Sequence, residues 1–138
     1  MQPAEPAPAR PRRDAPCPCG GGSYGACCGP FLDDAEAPST AERLMRSRYT
    51  AFALRDRRYL LRSWHPSTRP RRLELDDDTE WRRLVVVDTV AGSPDDETGV
   101  VEFRAIYREG GVRGELHERS RFVRDAGRWS YLDGELLD

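Results

Sequence analysis

Four cysteines stand within twelve residues, in the order Cys17-Pro18-Cys19 and then Cys27-Cys28, a C-x-C-x7-C-C pattern. Nothing else in the chain restricts its fold so tightly. Pairing neighbours as disulfides would close strained short rings, so a disulfide version has to cross the cluster. Four thiolates instead complete the tetrahedral shell of a structural Zn²⁺ at about 2.3 Å per Zn–S bond, with no strain and no position left for water or substrate. Gly20-Gly21-Gly22 let the backbone adopt positive φ and approach the sulfurs closely. Zinc ligation by Cys17, Cys19, Cys27 and Cys28 is therefore favoured over a disulfide pair and over a redox or iron–sulfur centre. The closed shell makes the site structural.

Clustered cysteines used in this way suit a reducing compartment. Residues 1–15 are rich in Pro, Ala and Arg and contain no apolar core of a secretory signal, so they read as a disordered tail of a cytoplasmic protein. No apolar run reaches the ~18 residues of a membrane span. With 138 residues the chain holds one ordinary domain and a small appendage. All of the cationic residues are arginine, yet the net charge is −2, which argues against a uniformly basic nucleic-acid binder. The division expected is a tail over 1–15, a knuckle over 16–30 and an α+β domain over 31–138.

Ser39-Thr40-Ala41-Glu42 has the S-x-x-E form of a capping box, with Ser39 and Glu42 as the reciprocal pair. The helix that follows places Ala41, Leu44, Met45, Tyr49, Ala51 and Phe52 on one broad face. Arg48 falls inside that face and is hard to expose. Asp56 is set to cap a second helix through Tyr59, Leu60, Leu61 and Trp64, stopped at His65-Pro66. Asp76-Asp77-Asp78 reads as a solvated turn. From Trp81 onward the period changes to two. Leu84 to Val90 has the β-branched character of a central strand, and Val101, Phe103, Ala105 and Tyr107 alternate with charged residues. Leu116 to Arg124 and a segment around Trp129 and Tyr131 complete four strands, joined by short Gly-containing turns that favour an antiparallel meander. The fold class expected is α+β, helices first and sheet after.

Cys17-Pro18-Cys19-Gly20, Tyr24 and Cys27-Cys28-Gly29 resemble the SEC-C motif, a small zinc knuckle also found at the C-terminus of the bacterial translocase SecA. Further on, Leu44-Met45-Arg46-Ser47-Arg48-Tyr49, Trp64-His65-Pro66, Glu118-Arg119-Ser120-Arg121-Phe122 and Gly127-Arg128-Trp129 to Asp133-Gly134 are similar to the YchJ family of bacterial proteins. The resemblance implies a SEC-C knuckle joined to a nuclear transport factor 2-like cone, also called cystatin-like, with helices packed on a four-stranded antiparallel sheet. It implies no established reaction. The family's gap between the two cysteine pairs is eight residues, whereas here it is seven.

If Leu116 and Phe122 point inward, alternation carries Glu118 and Ser120 inward too and leaves His117 outside. A buried guanidinium needs a partner, so Arg48 and Glu118 are expected to meet inside the cone, with Tyr49, Trp64, His65, Tyr107 and Ser120 around them as a candidate pocket. His65 is expected to cap free carbonyls at its helix end. No nucleophile elbow, Walker loop, Rossmann fingerprint or HExxH stretch is present in the sequence, so no catalytic residue is assigned. The leading expectation is a non-enzymatic adaptor that binds a protein partner through its knuckle. The alternative is a cone that binds a small-molecule ligand, or acts on one, around Arg48 and Glu118.

Overall fold

A computed structural model describes residues 9–137. A 3-10 turn, Tyr24–Ala26, and a short helix α1, Gly29–Leu32, belong to the cysteine cluster; helices α2, Ala41–Leu54, and α3, Arg57–Arg62, follow. Four strands complete the chain: β1, Thr79–Ala91; β2, Thr98–Glu109; β3, Val112–Asp125; and β4, Arg128–Leu136. They form one antiparallel sheet in the order β1-β2-β3-β4, the meander that the short turns predict.

Helix α2 begins one residue later than the expected capping box. The hydroxyl of Thr40, not Ser39, accepts the Arg43 N–H at 3.1 Å, and Glu42 pairs with Arg46 at 3.0 Å. Ser39 has another task, since its carbonyl accepts the indole N–H of Trp129 at 3.1 Å and fastens the helix entrance to β4. The helix ends at Arg55, whose φ of 58° is left-handed. Asp56 caps α3 as expected, accepting the Tyr59 N–H at 3.1 Å. That helix stops at Arg62 rather than running to Trp64. Residues 63–65 leave it to lie along β4, where His65 donates to the Tyr131 carbonyl at 2.8 Å and Tyr131 donates to that of Ser63 at 2.9 Å.

The strand at Leu84 to Val90 is an edge strand, not a central one. Its register against β2 slips between Trp81 and Arg83 and again between Val86 and Asp88. Each slip is a bulge that leaves one β1 residue, Arg82 or Val87, without a partner. Val87 is accordingly exposed, and an apolar run that looked central is divided by the bulges. The same slips keep Trp81, Leu84 and Val86 opposite Tyr107, Ala105 and Phe103, so all three share the face that meets the helices. A further slip beside Arg121 and Phe122 lies between β3 and β4. It leaves β3 alternating cleanly against β2, with Ser120 opposite Val101 and Glu118 opposite Phe103.

Two groups of buried side chains fill the space between helices and sheet. Ala41, Leu44, Met45, Val101, Phe122 and Trp129 pack together near the start of α2. The other group joins Tyr49, Ala51, Tyr59, Leu60 and Ala105 to Cys17, Cys19 and Cys28, so the cysteine cluster shares a core with the domain. Ser47 stitches α2 to α3 through the Tyr59 hydroxyl at 2.6 Å. Of the tail expected over 1–15, residues 1–8 lie outside the described residues, and residues 9–15 are seated on the protein. The carbonyls of Arg13 and Ala15 accept from Gly25 and Tyr24 at 2.9 and 2.8 Å, and Arg10 pairs with the buried Asp56 at 2.8 Å. Local composition shows no core-forming pattern there because the partners lie elsewhere in the chain. Among the described residues no helix is long and apolar enough to cross a membrane.

Candidate metal centre and cone cavity

The sequence brings Cys17 and Cys19 together by a tight loop, in which Gly20 donates to the Cys17 carbonyl at 2.9 Å and Cys17 donates to that of Gly22 at 2.7 Å. The 3-10 turn returns the chain so that Cys27 and Cys28 face the first pair. None of the four cysteines is in a disulfide, and their sulfurs lie within 4.8 Å of one another. Cys19 and Cys27 are 3.4 Å apart, Cys19 and Cys28 3.7 Å, and Cys27 and Cys28 3.9 Å. A regular tetrahedron of sulfurs at about 2.3 Å from a central metal has edges of ~3.8 Å. The donor set therefore fits a four-coordinate metal ion. Gly21 makes the cradle possible, since a Cβ there would come within 3.0 Å of the Cys27 sulfur and 3.2 Å of that of Cys19.

Without a cation, Cys17, Cys27 and Cys28 compete for protons. Hydrogen bonds from Cys19 and Cys28 hold the Cys17 thiol well below its ordinary value. Its contacts with Cys17 and Cys19, with burial added, push Cys28 far up, and burial followed by Cys19 pushes Cys27 up to about 12. A metal ion relieves this repulsion by neutralising thiolates directly.

The cluster is seated against the helices. Arg46 donates to the Cys19 carbonyl at 3.0 Å, the Thr50 hydroxyl stands 3.7 Å from the Cys17 sulfur, and Arg62 donates to the Phe31 carbonyl at 3.1 Å. Cys17, Cys19 and Cys28 are buried, and Cys27 is half-buried.

A second feature lies between α2 and the sheet, a cavity of about 210 Å³. Of the pocket residues expected from the sequence, Arg48, Tyr49, Trp64, Glu118 and Ser120 share its wall. Two do not. Tyr107 packs on Trp81, ring centroids 5.3 Å apart, and His65 lines a separate hollow with Arg69 and Asp125. The His65 ring caps no helix carbonyl; it bonds the Ser67 hydroxyl at 2.7 Å and the Asp125 carboxylate at 3.3 Å. His117 faces outward as expected but is covered, 2.9 Å from Glu102, with its side chain 10% exposed.

Arg48 is buried, but its partner is not Glu118. The guanidinium Nη1 donates to the Leu60 carbonyl and the Ser63 hydroxyl, both at 2.7 Å. Its carbon stands 5.0 Å from the ring centre of Trp64 and 4.6 Å from that of Tyr131, so two aromatic faces supply the attraction that a carboxylate was expected to give. Burial pushes Arg48 down to about 10, while Tyr131, Tyr59 and Glu118 act the other way; it stays charged at neutral pH. Glu118 is held separately by the hydroxyls of Ser120 and Tyr131, the latter at 3.4 Å. It lies flat on β4 because Gly134 has no Cβ, which would come within 2.6 Å of its carboxyl.

The knuckle and the cone together match known proteins. The family model described as "YchJ, middle NTF2-like domain" matches residues 40–134. The chain belongs to the YchJ family. UPF0225 protein SCO1677 of Streptomyces coelicolor is 56% identical over 124 residues, covering 89% of this chain and 97% of its own. UPF0225 protein RSc0270 of Ralstonia nicotianae is 49% identical over 146 residues and covers 99% of both chains. The solution structure of RPA3114, a SEC-C motif containing protein from Rhodopseudomonas palustris, superposes with a TM-score of 0.78 at 34% identity, covering 90% of this chain and all of that one. A crystal structure of a SEC-C motif containing protein from Psychrobacter arcticus gives 0.67 at 28% identity, covering 84% and 73%.

In this YchJ-family chain the seven-residue gap still closes the cysteine ring, through the Gly-rich loop and the 3-10 turn. Sequence reasoning missed Trp81, Phe52, Phe103 and Tyr131 as cavity wall. Tyr131 was within reach, two residues from the buried Trp129 on the same strand. Trp81 was not, because the bulge beside it breaks the alternation on which such a reading depends.

Proposed function

We propose that this chain is a zinc-binding protein-interaction adaptor of the bacterial cytoplasm that contacts its protein partner through the SEC-C knuckle. The observation that carries the reading is how the knuckle sits. Three cysteines are buried toward the domain, while Cys27 stays half-buried at the rim of a hollow of about 350 Å³ that Glu36, Glu42, Arg43 and Arg46 help to frame. Zinc suits four thiolates in a tetrahedron, and a full shell makes the ion a structural support rather than a reagent. The mixed charges of the hollow favour a polar peptide segment over an apolar one. The test is metal analysis of the purified chain, then affinity capture from a bacterial lysate with wild type and Arg43→Glu. One zinc per chain in both proteins, with specific capture lost only in Arg43→Glu, is the expected result. Identical captured proteins would count against the knuckle as the contact surface.

The cavity supports a second reading, a cone that holds a small molecule between α2 and the sheet. Its aromatic wall and polar groups support this reading, and its volume of about 210 Å³, below that of a drug-sized site, suits only a small ligand.

A further inference from the structure

Resting on that second reading, we propose that the cone cavity takes a small, neutral, planar aromatic ligand bearing an amide-type pair, one carbonyl oxygen and an N–H beside it. Size sets the first limit. An apolar cavity of about 150 Å³ accepts one benzene ring. The cavity here is about 210 Å³, and the remaining ~60 Å³ is two waters' share of liquid volume, room for a substituent of a few heavy atoms. The wall sets the shape. Tyr49 and Phe52 meet Trp81 at centroid distances of 6.0 and 6.1 Å, and Trp64 and Phe122 meet Tyr131 at 5.1 and 5.8 Å. Flat faces and edges of this kind receive a ring better than a branched aliphatic body.

The polar atoms without partners set the chemistry. Arg48 bonds through Nη1 alone, so among the described residues its Nε and Nη2 find no acceptor. Glu118 accepts both of its hydrogen bonds at Oε2, which leaves Oε1 without a donor. Trp64 adds a buried indole N–H that has no partner. Arg48 and Glu118 make no direct hydrogen bond with each other, so a ligand can bridge them, its carbonyl accepting from the guanidinium and its N–H donating to Oε1. An aromatic carboxylate would meet Arg48 but be repelled by Glu118. An ammonium brings three donors and meets one free acceptor oxygen and a like-charged guanidinium. A neutral amide leaves neither charge opposed and avoids the desolvation of a charged ligand.

The experiment titrates benzamide, benzoate, benzylamine, zwitterionic phenylglycine and toluene into the metal-loaded full chain. Binding is read by the fluorescence of Trp64 and Trp81 and by amide chemical-shift changes. Benzamide is expected to bind at least about tenfold more tightly than each of the other four. The isosteric Glu118→Gln variant removes the repulsion, so benzoate should gain at least about tenfold there while benzamide changes less. Preference for benzoate, benzylamine or phenylglycine in the wild type overturns the ligand class but leaves a ligand-binding cone standing, as does toluene matching benzamide. No binding by any of the five overturns both.

Discussion

Asp56 holds two structural duties on one carboxylate, and separating them tests whether residues 9–15 are seated in solution. Oδ1 caps α3 by accepting the Tyr59 N–H at 3.1 Å. Oδ2 takes the Arg10 guanidinium at 2.8 Å, with the Asp56 side chain 5% exposed and that of Arg10 31% exposed. Loss of a cap costs about 1 kcal/mol. Removing one partner of a fully buried pair costs about 3–5 kcal/mol, whereas an exposed pair contributes about 1 kcal/mol or less. Since nearly a third of Arg10 is in water and can rehydrate, the pair should lie between those limits, at about 1–2 kcal/mol. Asp56→Ala should then lose about 2–3 kcal/mol, and Asp56→Asn, which still caps, about 1–2 kcal/mol. Arg10→Ala should lose a similar 1–2 kcal/mol by leaving the carboxylate buried with the cap N–H alone. Urea denaturation of the metal-loaded protein measures all three, and the Arg10→Ala/Asp56→Asn double variant gives the coupling. If Asp56→Asn and Arg10→Ala both match wild type within about 0.3 kcal/mol while Asp56→Ala loses only the cap, the reasoning is refuted and the segment does not hold Asp56.

Chelation of the metal, or Cys19→Ser, should lower the thermal midpoint of the whole chain by more than about 10 °C and not merely loosen the knuckle, because the cysteines share a core with Tyr49, Tyr59 and Leu60; near-UV circular dichroism distinguishes the two. Gly134→Ala should cost about 1–3 kcal/mol by displacing the Glu118 carboxyl, and the emission of Trp64 should shift with it. Glu102 is held below its ordinary 4.5, first by its hydrogen bond with His117 and then by Arg119, and Arg121 holds Asp133 below 3.8. These groups contribute stability that is present above those ordinary values and lost as pH falls through the lowered ones. Glu102→Gln should therefore flatten the acid limb of a stability profile taken from pH 6 down to pH 3.

The cysteine spacing carried the most information because metal geometry leaves few alternatives, and the sulfur distances agree with it. Alternation placed Glu118 and Ser120 inward correctly, since β3 runs unbroken against β2. The same rule could not place Trp81 or identify β1 as an edge strand, because a bulge is a register event between two strands and leaves no mark on one of them read alone. The partner of Arg48 was hidden for a related reason. Period and charge said that a cation would be buried, but two ring faces, a carbonyl and a hydroxyl answer that need as well as a carboxylate does, and only tertiary structure brings Leu60, Ser63, Trp64 and Tyr131 around it. The docking of Arg10 on Asp56 was likewise a long-range contact made by a locally featureless segment.

The two borders of the sheet are guarded differently. Along β4, residues 63–65 occupy the backbone groups at Tyr131 that another strand would otherwise find. Along β1, the free row of N–H and carbonyl groups is interrupted at Arg82 and again at Val87, so an incoming strand meets no long stretch in constant register. A β-branched sequence such as Leu84-Val85-Val86-Val87 would be an aggregation hazard on a flat edge. Here the curvature that shapes the cone also breaks up the surface on which fibril growth would depend.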